Sequence, residues 1–310
     1  MQSLPSKIVI LGTGGTLAGT ATEPGDNVGY RAAQIGIAEI VARIPALAGV
    51  PIETEQVAQI DSKDMSYAIW RALAKRVAFH LGRDDVAGIV VTHGTDTLEE
   101  SAYLLQRVLA PGKPVALTAA MRPANALQSD GPQNLVDAVC VARYAGAKGV
   151  VAVLAGRIHG AFEVRKLHTY RIDAFGSGDA GPIGVVQEGV LTLWRTWPEC
   201  AALGLHVLAR DTPPRVVTVM SHADADGGIV DALLAHGVDG IVVAGTGNGS
   251  LHHALEAALR RAQGEAGVAV LRCSRVACGP VLPTANDVFE SAGSLTPAQA
   301  RVELLLRLSL

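Results

Sequence analysis

Four short segments hold most of the residues that could do chemistry. The first apolar run, Lys7–Leu11, is followed by Gly12-Thr13-Gly14-Gly15-Thr16. Glycines after a strand let backbone N–H groups approach a ligand and form an oxyanion hole, and a threonine there is a potential nucleophile. Thr16 read alone serves as well as a residue that hydrogen-bonds its own turn. The stretch is not the dinucleotide fingerprint, because Leu17 occupies the third glycine's place. A second segment, Thr92-His93-Gly94-Thr95-Asp96-Thr97, again puts hydroxyls and an acid after an apolar run. Thr97 with Glu100 is spaced as a capping box, which leaves Thr95 and Asp96 to meet a ligand. Asp61-Ser62-Lys63-Asp64 offers a helix cap at Asp61 or Ser62 together with a possible substrate contact. The fourth segment is Ala119–Pro123 with Ser129–Asn134.

These segments need a scaffold that brings them to one edge. Strand-like runs occur at Lys7–Leu11, Gln56–Ile60, Gly88–Thr92, Val115–Thr118 and Gly149–Leu154. Helical patterns fall between and after them, at Gln34–Arg43, Lys63–Leu81, Leu98–Leu109 and Gln133–Tyr144. Continuous apolar strands alternating with amphipathic helices predict an α/β fold, a parallel sheet covered on both faces. Ligands then bind at the carboxyl ends of the strands, where all four segments lie. Thr196–Arg215 carries Pro198, Pro213 and Pro214 and reads as a linker. A smaller α/β set follows, with strands Val216–Met220, Gly240–Ala244 and Val268–Arg272 and helices Ile229–His236, Leu251–Arg261 and Pro297–Leu308. The expected division is residues 1–195, a linker at 196–215, and a C-terminal α/β domain at 216–310.

Composition narrows the function. Of 310 residues, 49% are apolar and 18% charged, which excludes a disordered chain. Lys and Arg number 26 against 29 Asp and Glu, and no basic block occurs, so nucleic acid is not an expected partner. No apolar run approaches the ~18 residues of a membrane span. The N-terminal stretch reads as a first strand rather than a signal peptide, so a cytoplasmic location is expected. The four cysteines, Cys140, Cys200, Cys273 and Cys278, form no CxxC pair or zinc spacing, and His252–His253 diverge on a helix, so no metal is expected.

With these residues in place, the chain resembles the bacterial-type L-asparaginase family, the threonine amidohydrolases. The likeness lies in Thr13–Gly19 (TGGTLAG), Thr92–Glu100 (THGTDTLEE), Ala120–Pro123 (AMRP), Ser129–Leu135 (SDGPQNL), Gly247–Gly249 (GNG) and the closing Leu295–Val302. The resemblance implies that Thr16 is the nucleophile, Tyr30 its loop-borne partner, Thr95 and Asp96 the second threonine and its aspartate, and Lys166 the family lysine. Phe175, Ser177, Gly181, Pro182 and Gly184 support that placing of Lys166. It further implies that Ser62 binds the substrate α-carboxylate, that no cofactor is needed, and that the enzyme is a homotetramer of tight dimers. Each site would be completed by a neighbouring C-terminal domain.

The chemistry suits these types. A threonine hydroxyl needs a base, and lysine serves as one only when neutral. Asp96 favours the charged lysine, so its expected role is to hold the substrate α-ammonium and orient Lys166. Tyr30 relays a proton to or from Thr16, and the glycine turn and the Thr95 backbone donate to the oxyanion. Two positions depart from the family pattern. Lys63 stands where Gln or Glu is common, and Asn286 aligns with a glutamate that helps hold the α-ammonium. A cation at Lys63 beside Ser62 would favour the α-carboxylate and weaken the ammonium site, raising KM for asparagine; read instead as a solvated residue at the helix start, with the segment Ala277–Val288 shifted in register, neither departure touches the substrate. The expected activity is hydrolysis of asparagine to aspartate and ammonia. One alternative is an ammonia-supplying amidotransferase subunit, which carries an extra N-terminal domain and binds tRNA. Another is a non-catalytic amino-acid sensor on the same fold, which would need no nucleophile.

Overall fold

Runs of β-branched residues set the first five long strands: β1 (Lys7–Gly14), β2 (Ile52–Ile60), β3 (Val86–Thr92), β4 (Pro114–Thr118) and β5 (Gly149–Leu154). In the computed structural model, which describes residues 6–23 and 25–310, these strands are parallel neighbours in one sheet. Three short antiparallel strands, β6 (Arg157–Gly160), β7 (Gly184–Gln187) and β8 (Val190–Leu193), extend it to eight in the order β8-β7-β6-β5-β4-β3-β1-β2. Ile8–Leu11, Ile89–Val91, Val115–Leu117 and Val150–Val153 are all within 1% of complete burial, so both sheet faces are covered. Each such aliphatic side chain contributes about 1.5–3 kcal/mol when buried.

Helices α1 (Ile37–Ala42) and α4 (Gly131–Arg143) share one core cluster with Ile8, Ile10, Val90, Ala116 and Val151. Helices α2 (Tyr67–Leu81) and α3 (Leu98–Leu109) pack against each other and against the sheet. β1 has β2 on one side and β3 on the other, so the strand order reverses there. Such a reversal opens a crevice above the carboxyl ends of the strands. The turns after β1, β2 and β3 all begin at that edge.

His206–Leu310 forms a second unit, separate from the residues through Leu205. Its four parallel strands are β9 (Val216–Met220), β10 (Gly240–Gly245), β11 (Ala269–Ser274) and β12 (Glu290–Ser291). Three helices accompany them: α5 (Gly228–Ala235), α6 (His253–Ala266) and α7 (Pro297–Arg307). Among the described residues no helix is long and apolar enough to cross a membrane.

The structure corrects three local expectations. The helix expected over 63–81 is a 3-10 turn at Ser62–Asp64, capped by Asp61, followed by α2, which Ser66 caps through Ile69 N. The helix expected from Gln34 starts at Ile37, because Gln34 and Ile35 donate their N–H groups to the Ala18 carbonyl. Thr97 and Glu100 form no capping box: the Thr97 hydroxyl donates to the Ser62 carbonyl instead, at 2.8 Å. Turned toward that carbonyl, the hydroxyl accepts from none of the N–H groups of the first helical turn.

Candidate active site

Hydrogen bonds lash the three strand-end turns together. Gly15 N donates to Ile60 O at 2.9 Å, joining the β1 turn to the end of β2. Thr13 Oγ1 donates to Thr92 O at 2.9 Å, joining β1 to β3. Asp96 N donates to Ser62 Oγ at 3.1 Å, joining the β3 turn to the β2 turn. Thr16, Ser62 and Thr95 are all buried.

Thr16 opens a 3-10 turn, Thr16–Ala18, and its Oγ1 lies 2.6 Å from Tyr30 Oη. Tyr30 is carried by a two-residue strand, Tyr30–Arg31, paired with Thr20–Ala21 just beyond Thr16. Ala33 N donates to Gly15 O at 3.1 Å, and Gln59 Nε2 donates to Ala33 O at 2.8 Å. Ala33 has φ +56°, a left-handed conformation that costs a non-glycine residue energy. The segment carrying Tyr30 is thus tied to the turn that carries Thr16. Burial raises the Tyr30 phenol above its ordinary value, as do the Asp61 and Asp96 carboxylates, against the Thr16 hydrogen bond and Lys63. The phenol therefore keeps its proton at neutral pH, and it can pass a proton only by donating one as it accepts another.

Lys166 arrives from a ribbon in which Arg165–Lys166 pairs with Phe175–Gly176. Its Nζ donates to Thr95 Oγ1 and to Asp96 Oδ1, each at 2.8 Å. Its backbone N–H donates to Glu99 Oε2 at 2.8 Å. Thr95, Asp96 and Lys166 are thereby one cluster, Thr16 and Tyr30 another, and Ser62 touches the first through Asp96.

The two departures sit differently. Lys63 Nζ donates to Asp61 Oδ2 at 2.6 Å, lies 3.6 Å from Asp64, and is 62% exposed. Asn286 is exposed in the second unit and lines a cavity of about 220 Å³ with Gly249, Arg272 and Asp287. The expected backbone donors also narrow. Within the glycine turn, Gly15 N is taken by Ile60 O, so it does not serve an oxyanion in this arrangement.

Two residues at the site, one in the β3 turn and one at the start of α3, are given no role by the sequence motifs. His93 is fully buried. Its Nδ1 lies 2.8 Å from Gly94 O and must be the protonated nitrogen, since a carbonyl only accepts. Its Nε2 then accepts from Ser101 Oγ at 2.9 Å, and Ser101 Oγ accepts from Trp70 Nε1 at 2.8 Å. Burial pushes His93 down to about 4, so the ring is neutral in the folded protein. The sequence signal for it is its place between Thr92 and Gly94, at the strand end that carries Thr95 and Asp96. The second residue is Glu99, overlooked because Glu100 had the capping-box spacing.

Comparison with known proteins bears on the whole chain. Residues 7–198 match the family described as "Asparaginase, N-terminal", and residues 215–310 match "Glutaminase/Asparaginase C-terminal domain". L-asparaginase 2 of Bacillus subtilis is 36% identical over 99% of this chain and 84% of its own length. A glutaminase-asparaginase of Pseudomonas fluorescens is 34% identical over 98% of this chain and 86% of its own length. The crystal structure of a probable cytoplasmic L-asparaginase from Campylobacter jejuni superposes with a TM-score of 0.93 at 37% identity, covering 98% of this chain and 95% of that one. With both family domains matched in order along a fold of the same topology, the chain belongs to the bacterial-type L-asparaginase family.

Proposed function

We propose that this protein is an L-asparaginase that hydrolyses L-asparagine to L-aspartate and ammonia, with Thr16 as nucleophile. The observation that carries the reading is the 2.6 Å contact between the Thr16 and Tyr30 hydroxyls at the strand reversal. A buried hydroxyl with a second hydroxyl against it has a path for its proton, which a merely turn-stabilising threonine does not need.

In the first step Thr16 Oγ1 attacks the side-chain amide carbon of asparagine. The threonine proton passes through Tyr30 Oη to the amide nitrogen, the C–N bond breaks, and ammonia leaves. Thr16 then carries a β-aspartyl ester. Water attacks that ester, its proton returns to Thr16 Oγ1, and aspartate departs. Thr95, held by Lys166, orients the reacting water and donates its backbone N–H to the oxyanion. Asp96 holds the α-ammonium. The Ser62 hydroxyl already accepts from Asp96 N, so its own proton is directed to the α-carboxylate. The protein works in the cytoplasm as a homotetramer without a cofactor.

Ammonia release by the purified protein tests this. Asparagine should be turned over, with kcat/KM for glutamine lower by about 10–200-fold, as one extra methylene in a closed pocket implies. No ammonia from either amide would overturn the reading in favour of a sensor.

A further inference from the structure

We infer that Glu99 is a positioning residue for Lys166, fixing the root of the lysine side chain while Thr95 and Asp96 fix its tip. This rests on the role given to Lys166 above. Glu99 is the second residue of α3, so it belongs to the same continuous segment as Thr95 and Asp96. Its Oε2 accepts the Lys166 backbone N–H at 2.8 Å, and Lys166 Nζ reaches Thr95 Oγ1 and Asp96 Oδ1 at 2.8 Å. Both ends of one side chain are therefore referenced to residues 95–99.

That double reference matters because of where Lys166 sits. It lies on a ribbon of two residues per strand, and so short a hairpin holds its place poorly by itself. A lysine side chain is a long flexible stem, so any drift of its Cα becomes a larger drift at Nζ. A misplacement of about 1 Å at a catalytic group can cost ~10²-fold in rate. Glu99 removes that drift by an acceptor on the backbone, leaving Nζ for Thr95.

Glu99 could serve instead only as a negative charge at the start of α3, where the helix dipole favours one. The two roles separate experimentally, because glutamine keeps an acceptor oxygen and loses the charge. Steady-state kinetics of Glu99→Ala and Glu99→Gln are compared with wild type on asparagine. Glu99→Ala should lower kcat by about 10-fold or more while KM moves by less than about 3-fold, as expected when an effect is confined to the reacting step. Glu99→Gln should stay within about 3-fold of wild type in kcat. In a Lys166→Ala background, Glu99→Ala should cost nothing further, because residues acting through one another are non-additive. If Glu99→Ala fails to fold, Glu99→Met, which keeps the stem without an acceptor, takes its place.

Three results would overturn the inference: unchanged kcat in Glu99→Ala, Glu99→Gln as impaired as Glu99→Ala, or a full additional loss in the Lys166→Ala background. Wild-type protein inactive on asparagine would instead sink the assignment of function, so the two failures are distinct.

Discussion

Gly15 and Gly94 meet backbone to backbone: a Cβ added to Gly15 would stand 2.5 Å from Gly94 Cα and N. A Cβ on Gly94 would in turn collide with Ser62 Oγ. The turns bearing Thr16, Ser62 and Thr95 can converge only because these two positions carry no side chain. Gly15 also has φ +79°, which an L side chain rarely adopts. Gly94→Ala should destabilise the protein by about 1–3 kcal/mol through overpacking. It should also lower kcat/KM for asparagine well beyond what the lost stability explains. Denaturant unfolding and ammonia release on the same preparation check both; wild-type kinetics would mean that the turns tolerate separation.

Acid should weaken the fold through two buried imidazoles. Burial lowers both His93 and His159 from 6.5 to about 4. Between those values the unfolded chain binds protons at these two rings that the folded chain does not, so their contribution makes stability rise with pH across that window. The contribution is fully present above about pH 6.5 and is lost progressively as pH falls toward 4. Denaturation midpoints at a series of pH values should show this slope. His93→Gln should flatten it; an unchanged slope would place the proton uptake elsewhere.

Burial raises the Tyr30 phenol above the ordinary tyrosine value, and the Asp61 and Asp96 carboxylates add to that, so it keeps its proton at neutral pH. Tyr30→Phe should keep the fold and lower kcat by about 10²–10⁴-fold, the usual scale for losing a proton-transfer group. A Tyr30→Phe enzyme with normal kcat would remove the phenol from the proton path.

Lys63 carries a sharper question about substrate choice. The sequence places a cation beside Ser62 and suggests a weakened ammonium site. In the structure that cation is held by Asp61 and Asp64 at an exposed position. Exposed ion pairs of this kind have small effects, so Lys63→Gln should change KM for asparagine and for succinamic acid, its deaminated analogue, by less than about 3-fold. A large fall in KM for asparagine alone would show that Lys63 does oppose the substrate ammonium.

How much of this was legible in the sequence depended on local pattern. The apolar runs of β1, β3, β4 and β5 specify the centre of the parallel sheet, because strands buried on both faces need continuous apolar residues, whereas the edge strand β2 is half-buried and carries Glu53, Glu55 and Gln56. The antiparallel strands β6, β7 and β8 are four residues each, too short to carry a period. Spacing alone misled at Thr97, where Thr-x-x-Glu predicts a capping box but the hydroxyl serves Ser62. A true capping box forms at Thr296 with Gln299, where the threonine oxygen accepts the Gln299 N–H. The motifs brought Thr16, Thr95 and Asp96 to attention as types, and the family resemblance supplied Tyr30, Lys166 and the role of Ser62. What neither supplied were contacts made across long separations, such as Glu99 with Lys166 and Tyr30 with the charges around Ser62.

The central claim is that Thr16 is the nucleophile, and the direct measurement is kcat for ammonia release from asparagine by Thr16→Ala. The fold should be kept, since the substitution removes the hydroxyl contact with Tyr30 and leaves the turn's backbone in place. The account predicts a fall of at least ~10³-fold with an unchanged unfolding midpoint. Turnover by Thr16→Ala close to that of the wild-type enzyme would contradict it.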